Sequence, residues 1–245
     1  MRGLYIHIPF CKSRCSYCGF FSTTQLSLRG AYADALCREM RLAPLPPHDS
    51  IGTIYMGGGT PSQLPVAALT RILSEAHILY NVEPRAELTV ECNPDDVTSS
   101  PALAAFLGRG IDGRPLRVSM GAQTFSDQRL CQIGRRHTAA QVGQAVERLR
   151  SAGVTNISID LMYGFPGETL EQWDQDITAA LALQPEHLSA YCLSYEEGTT
   201  MWRQLQEGRL TKADEEVERS MYYHLTDRMA SAGYEHYEIS NFARH

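Results

Sequence analysis

Apolar positions along the chain switch between two periods. Leu4–Ile8 is a short apolar run closed by Pro9, a residue that ends strands because it has no N–H to donate. Between Arg29 and Leu42 the spacing becomes helical, with Tyr32, Leu36 and Met40 on one stripe. The same change recurs down the chain. Further strands are predicted over Thr53–Met56, Glu87–Glu91, Leu116–Met120, Asn156–Leu161 and His187–Leu193. Helices are predicted over Pro65–Tyr80, Pro101–Leu107, Thr138–Ala152 and Leu170–Leu183.

Local signals sharpen several of these elements. Pro65 stands at the favoured first position of its helix. Thr138 and Gln141 have capping-box spacing, and Gly153 stops the helix they open. Asp214, shortly after Thr211, opens a long amphipathic helix to about Ala232, with Val217, Met221, Leu225 and Met229 facing inward. Tyr234–Ile239 reads as one last strand.

The result is six strand–helix units in succession, an α/β pattern that implies a parallel sheet with right-handed crossovers. Six strands can close as a partial barrel or lie open as a doubly wound sheet, and periodicity does not decide between them. Both arrangements put function at the C-terminal ends of the strands.

Composition changes the picture little. The 245 residues are 43% hydrophobic and 20% charged, an ordinary globular balance. A formal net charge of −6 argues against a broad nucleic-acid surface, which is normally basic. No apolar run approaches the ~18 residues that span a bilayer, and no signal-peptide pattern opens the chain. The expected location is a reducing cytoplasm.

The seven cysteines do change it. Cys11, Cys15 and Cys18 form a C-x3-C-x2-C cluster directly after the first strand, whereas Cys37, Cys92, Cys131 and Cys192 are scattered and read as isolated thiols. One tight cluster in an odd total indicates metal binding, not a disulfide framework. Thiolates suit zinc or an iron–sulfur cluster. A structural zinc site wants four closed ligands, and would have to recruit His7 or a remote cysteine. Three thiolates on a four-iron cluster instead leave one iron open to a ligand.

Other candidates lie at predicted strand ends. Gly57-Gly58-Gly59-Thr60-Pro61 follows the second strand, and consecutive glycines let backbone N–H groups approach a ligand, although a plain turn is the simpler alternative. Glu91 ends the third strand, where a carboxylate faces the site or is merely solvated. Asp160 sits inside an apolar strand, where an unpaired charge is costly, so it needs an arginine such as Arg135 or a ligand. His137 reads as helix entry, not as a ligand.

The segment Tyr5-Ile-His-Ile-Pro-Phe-Cys11 running through Cys18 resembles the opening of the oxygen-independent coproporphyrinogen III oxidase family of radical S-adenosylmethionine (SAM) proteins. Within it, the chain is most similar to the heme chaperone branch, and the resemblance extends through Tyr237-Glu-Ile-Ser-Asn-Phe242. It implies a partial (β/α)6 barrel of parallel strands with outer helices and the cluster loop after the first strand. It implies a [4Fe-4S] cluster on Cys11, Cys15 and Cys18, with Tyr5 and Tyr17 packed beside it. Gly58, Gly59, Thr60 and Glu91 would hold SAM, while Gln123, Arg135 and Asp160 match residues that bind a second SAM in the oxidases.

The oxidases carry a further cysteine two residues after the third, where this chain has Phe20, as the chaperone branch does. The resemblance therefore implies heme transfer to a respiratory acceptor protein, with porphyrin oxidation as the alternative, and a reductant protein such as flavodoxin or ferredoxin. It also implies a core over residues 1–200 and a helical appendage over 201–245 that begins a missing C-terminal domain with the chaperones' His-Asn-x-x-Tyr-Trp segment.

Overall fold

The computed structural model describes residues 1–46 and 48–244; His245, at the end of the expected appendage, lies outside the described residues. The chain divides into two compact units. One holds residues 1–13, 20–119 and 147–155; the other holds 14–19, 120–146 and 156–245.

In the first unit, β1 (Arg2–Ile8), α1 (Arg29–Leu42), β2 (Ile51–Gly58), α2 (Val66–Leu79) and β3 (Val82–Cys92) alternate as the pattern predicts. Pro65 caps α2 from outside its first turn instead of standing inside it. Two helices follow, α3 (Pro94–Ser99) and α4 (Pro101–Arg109). Pairing of β1 with β2 and of β2 with β3 is parallel, and Ile6, Ile8, Ile54, Met56 and Val90 are buried along these strands. Burying such side chains is worth roughly 1.5–3 kcal/mol each, so the strands are held mainly by their apolar faces.

Strand β4 (Arg117–Gln123) begins in the first unit and ends in the second, which also holds β5 (Ile157–Tyr163). The second unit adds α5 (Asp127–Gln132), most of α6 (Ala139–Ser151), α7 (Leu170–Ala182), β6 (His187–Cys192), α8 (Thr200–Gln206) and α9 (Glu215–Ser231). The Thr138–Gln141 capping box is present in both directions, at 3.0 and 3.4 Å. Strand β5 pairs with β6 in parallel.

One expectation changes here, and one is extended. Val217 is exposed, not inward: the buried stripe of α9 starts at Met221 and continues through Leu225 and Met229. Its place on that face is taken by Glu218, whose side chain is only 15% exposed. The last predicted strand is present as β7 (Glu235–Glu238), and it is followed by an unpredicted β8 (Asn241–Ala243), antiparallel to both β6 and β7. Among the described residues, no helix is long and apolar enough to cross a membrane.

Candidate functional site

The cysteine loop begins where β1 ends. Cys11 donates its N–H to the Thr23 carbonyl at 2.9 Å, and Thr23 returns a bond to the Pro9 carbonyl at 2.7 Å, so the backbone at the first thiol is clamped. Its Sγ lies 3.5 Å from the Thr60 hydroxyl. One residue on, the Lys12 ammonium reaches the buried Asp96 carboxylate at 2.8 Å, and Asp96 also accepts from Ser62 and Gln63. The loop is thus pinned to the segment that follows the glycine turn.

That turn is built around a special conformation. Gly58 has φ +112, which side-chain-bearing residues rarely adopt, and a Cβ there would stand 2.3 Å from the His7 ring. Glu91, at the end of β3, accepts the Gly58 N–H at 3.0 Å on one oxygen and the Tyr55 hydroxyl at 2.8 Å on the other. Tyr5 stacks near Tyr55 with ring centroids 6.2 Å apart, and its hydroxyl meets His7 Nδ1 at 3.0 Å. Glu91 thus binds Gly58 directly, Tyr5 lies against this pair through the Tyr55 ring, and Thr60, two residues beyond Gly58 in the same turn, meets Cys11.

The second unit holds the other candidates. Cys18 donates its N–H to the Cys15 carbonyl at 3.3 Å, closing a turn. Between them, Tyr17 packs against Ile133, Met162, Phe165, Leu193 and Met201. Burial raises the Tyr17 phenol well above its ordinary value, against the pull of the Arg135 charge. Gln123 ends β4 with φ +68, an unusual conformation for a residue other than glycine.

Asp160 is the last acceptor of a hydrogen-bonded chain. The Ser158 hydroxyl donates to it at 3.5 Å, the Ser158 oxygen meets His187 Nδ1 at 2.8 Å, and His187 Nε2 meets the Tyr237 hydroxyl at 2.8 Å. With His187 protonated on Nδ1, every donor points toward the carboxylate.

Two loops in this unit are fixed by one buried arginine. Arg129 pairs with Glu168 and, at 3.1 Å, with Asp176. Glu168 accepts the N–H groups of Gly164 and Phe165 at 2.8 and 3.1 Å, and Asp176 accepts from the Thr124 hydroxyl and the Phe125 N–H at 2.6 and 2.8 Å. Burial pushes the Glu168 carboxyl up to about 7 despite Arg129 and its two N–H donors.

Thiols are the donor chemistry that an iron–sulfur cluster takes. Cys11, Cys15 and Cys18 are half-buried thiols outside any disulfide, and polar hydrogens lie within reach of the first two sulfurs, as cluster thiolates accept them. Among the described residues, no three His, Cys, Asp or Glu side chains are grouped closely enough to form a ready site for a single ion. Of the remaining thiols, Cys37 and Cys92 are buried, Cys192 is half-buried and Cys131 is exposed.

Sequence reasoning missed Tyr55, Lys12, Asp96, Ser158 and His187. Tyr55 had a signal, because it lies two residues before Gly57 and so shares a strand face with the glycine turn. Ser158 had the same kind of signal, lying two residues before Asp160 on its strand, whereas Lys12, Asp96 and His187 had none, since their partners lie 29 to 84 residues away.

Comparison with known proteins gives the family and the fold. The Radical SAM superfamily model matches residues 5–180. The heme chaperone HemW of Bacillus subtilis (strain 168) is 39% identical over all of this chain and 64% of its own length. The heme chaperone HemW of Lactococcus lactis subsp. lactis (strain IL1403) is 37% identical over 97% of this chain and 61% of its own. The chain thus spans less than two thirds of the curated relatives it matches. The solved coproporphyrinogen III oxidase HemN of Escherichia coli, a radical SAM enzyme, superposes with a TM-score of 0.85 at 24% identity, covering 99% of this chain and 55% of that one. That likeness is one of fold, the partial α/β barrel with mostly parallel strands.

Proposed function

The chain belongs to the radical SAM superfamily, and from that premise we propose that it binds a [4Fe-4S] cluster and SAM and takes up heme for transfer to an acceptor protein. One observation carries the cofactor part: the Cys11 thiol lies 3.5 Å from Thr60, at the end of the glycine turn that Glu91 holds. The expected cluster ligand and the expected SAM segment are therefore neighbours. The heme part is supported by the identity to HemW chaperones along nearly the whole chain.

When bound, a reduced cluster would supply one electron to the sulfonium of SAM. The chain's own residues bind and orient. Cys11, Cys15 and Cys18 hold the cluster. Gly58 and Gly59 let backbone approach the methionine end of SAM, Thr60 and Glu91 supply polar contacts there, and Tyr5 flanks them. Gln123, Arg135 and Asp160 form a second polar set, with Asp160 oriented through Ser158 and His187. A small electron-transfer protein such as flavodoxin or ferredoxin is the natural reductant, a heme-receiving respiratory protein the natural acceptor, and a reducing cytoplasm the natural setting.

Phe20 stands where the oxidases have a further cysteine, and it is 72% exposed. That absence of a further cysteine supports the chaperone reading over the coproporphyrinogen oxidase one. The test is optical titration of the anaerobically reconstituted protein, first with SAM and then with heme. Saturable binding of both, with no porphyrin formed from coproporphyrinogen III under reducing conditions with SAM, is the expected result. Porphyrin formation would turn the assignment to the oxidase, and loss of heme binding would remove the chaperone role from this chain.

A further inference from the structure

Arg135 reaches a cysteine 120 residues away: its Nη1 lies 3.7 Å from Cys15 Sγ. The second terminal nitrogen, Nη2, donates to the Gly121 carbonyl. Local features on both sides enforce this meeting. Gly134 has φ +74, a left-handed turn that redirects the chain immediately before Arg135. A Cβ at Gly134 would already touch the Arg14 carbonyl and the Ser16 amide, at 3.7 and 3.8 Å. Ser16 in turn donates its N–H to the Ile133 carbonyl at 2.9 Å, and its own carbonyl accepts the Met201 N–H at 2.9 Å. The backbone beside Cys15 is therefore held from two directions.

The guanidinium also has a reserved place. A Cβ at Gly121 would stand 2.9 Å from Arg135 Nη2, so a side chain there would make the end of the arginine shift from this position. The Arg135 N–H donates to the Leu130 carbonyl at 2.9 Å, which fixes where the side chain starts. Burial of Tyr17 beside this pair lowers the local dielectric, and a charge acts more strongly there than in water.

A permanent cation with an N–H aimed at a cluster thiolate has a defined effect. Hydrogen bonds to the sulfurs and nearby charge are the main protein controls on an iron–sulfur potential. Both favour the reduced state, which carries one more negative charge. Arginine stays protonated at every accessible pH, so the effect does not titrate away.

We propose that Arg135 tunes the cluster through Cys15, raising its reduction potential by an N–H···S bond and a fixed positive charge. This rests on Cys15 being a cluster ligand, and it gives Arg135 a task distinct from contacting SAM. Arg135 is in this sense a positioning and tuning residue that acts through Cys15.

The test is a redox titration followed by electron paramagnetic resonance, without SAM, on anaerobically reconstituted wild-type, Arg135→Met and Arg135→Lys chains. Iron and sulfide are assayed in each. We expect equal cluster content, a midpoint shifted to more negative potential in Arg135→Met, and a smaller shift in the same direction in Arg135→Lys, which keeps charge but loses the planar fork. A wild-type midpoint in Arg135→Met overturns the proposal. Should that chain fail to load, a wild-type midpoint in Arg135→Lys overturns it. Failure of both to load, with normal far-UV dichroism, overturns it too, because a tuning residue is not needed for ligation. A wild-type chain that takes up no iron and sulfide would instead defeat the cluster assignment itself, and the proposal would fall with it.

Discussion

Glu91 accepts the backbone N–H of Gly58 at 3.0 Å, so the carboxylate ending β3 fixes the glycine turn ending β2. The neighbouring strands β2 and β3 run parallel, which brings their C-terminal ends to the same edge. A polar loop and an acceptor are thereby joined at the edge where α/β proteins bind ligands.

Replacing Glu91 by Gln keeps the shape and removes the charge. We expect SAM affinity to fall at least tenfold, about 1.4 kcal/mol, while iron and sulfide content stays at the wild-type level. Calorimetric titration of the reconstituted variant measures the first and colorimetric assay the second. Unchanged affinity would remove Glu91 from the SAM site.

Arg129 is the common partner of Glu168 and Asp176, whose side chains are 0% and 3% exposed. Arg129→Met would leave two buried carboxylates without their cation, a change that costs about 3–5 kcal/mol. Urea unfolding of the apo chain should show that loss as a lower midpoint with an unchanged slope. A loss below about 1 kcal/mol, the range of an exposed ion pair, would mean that the network does not hold these loops.

His137 is buried, and its Nε2 meets the Ala122 carbonyl at 3.1 Å. Burial first, then the Arg135 charge, lowers its titration to about 4. The unfolded chain keeps the ordinary value near 6.5, so the folded state binds fewer protons between these values. The stabilisation is complete above about pH 6.5 and is lost as the pH falls toward 4, by at most about 3 kcal/mol. His137→Gln should therefore show a shallower loss of stability than wild type between pH 7 and pH 4.5. Parallel curves would contradict the assignment.

Much of the fold was legible because it is carried by long periodic elements. Arg29–Leu42 is a helix over the predicted span, and the Thr138–Gln141 box caps α6 as its spacing indicates. The short helices α3, α5 and α8 escaped because six or seven residues do not establish a 3.6-residue period. Val217 misled because it keeps the spacing of the α9 stripe yet lies in the first turn, ahead of the buried Met221. In the candidate site, the cysteine loop, the glycine turn and Glu91 announce themselves by type and position. The links from Arg135 to Cys15 and from Asp160 through Ser158 to His187 join distant segments, and only the folded chain brings them together.

The central claim, a [4Fe-4S] cluster on three cysteines, is tested most directly by anaerobic reconstitution of wild-type and Cys15→Ala chains, with metal and sulfide counted per chain. About four irons and four sulfides in the wild type, none retained in Cys15→Ala, and matching far-UV dichroism for the two are the predicted result. One zinc per wild-type chain, with no iron or sulfide, would contradict it.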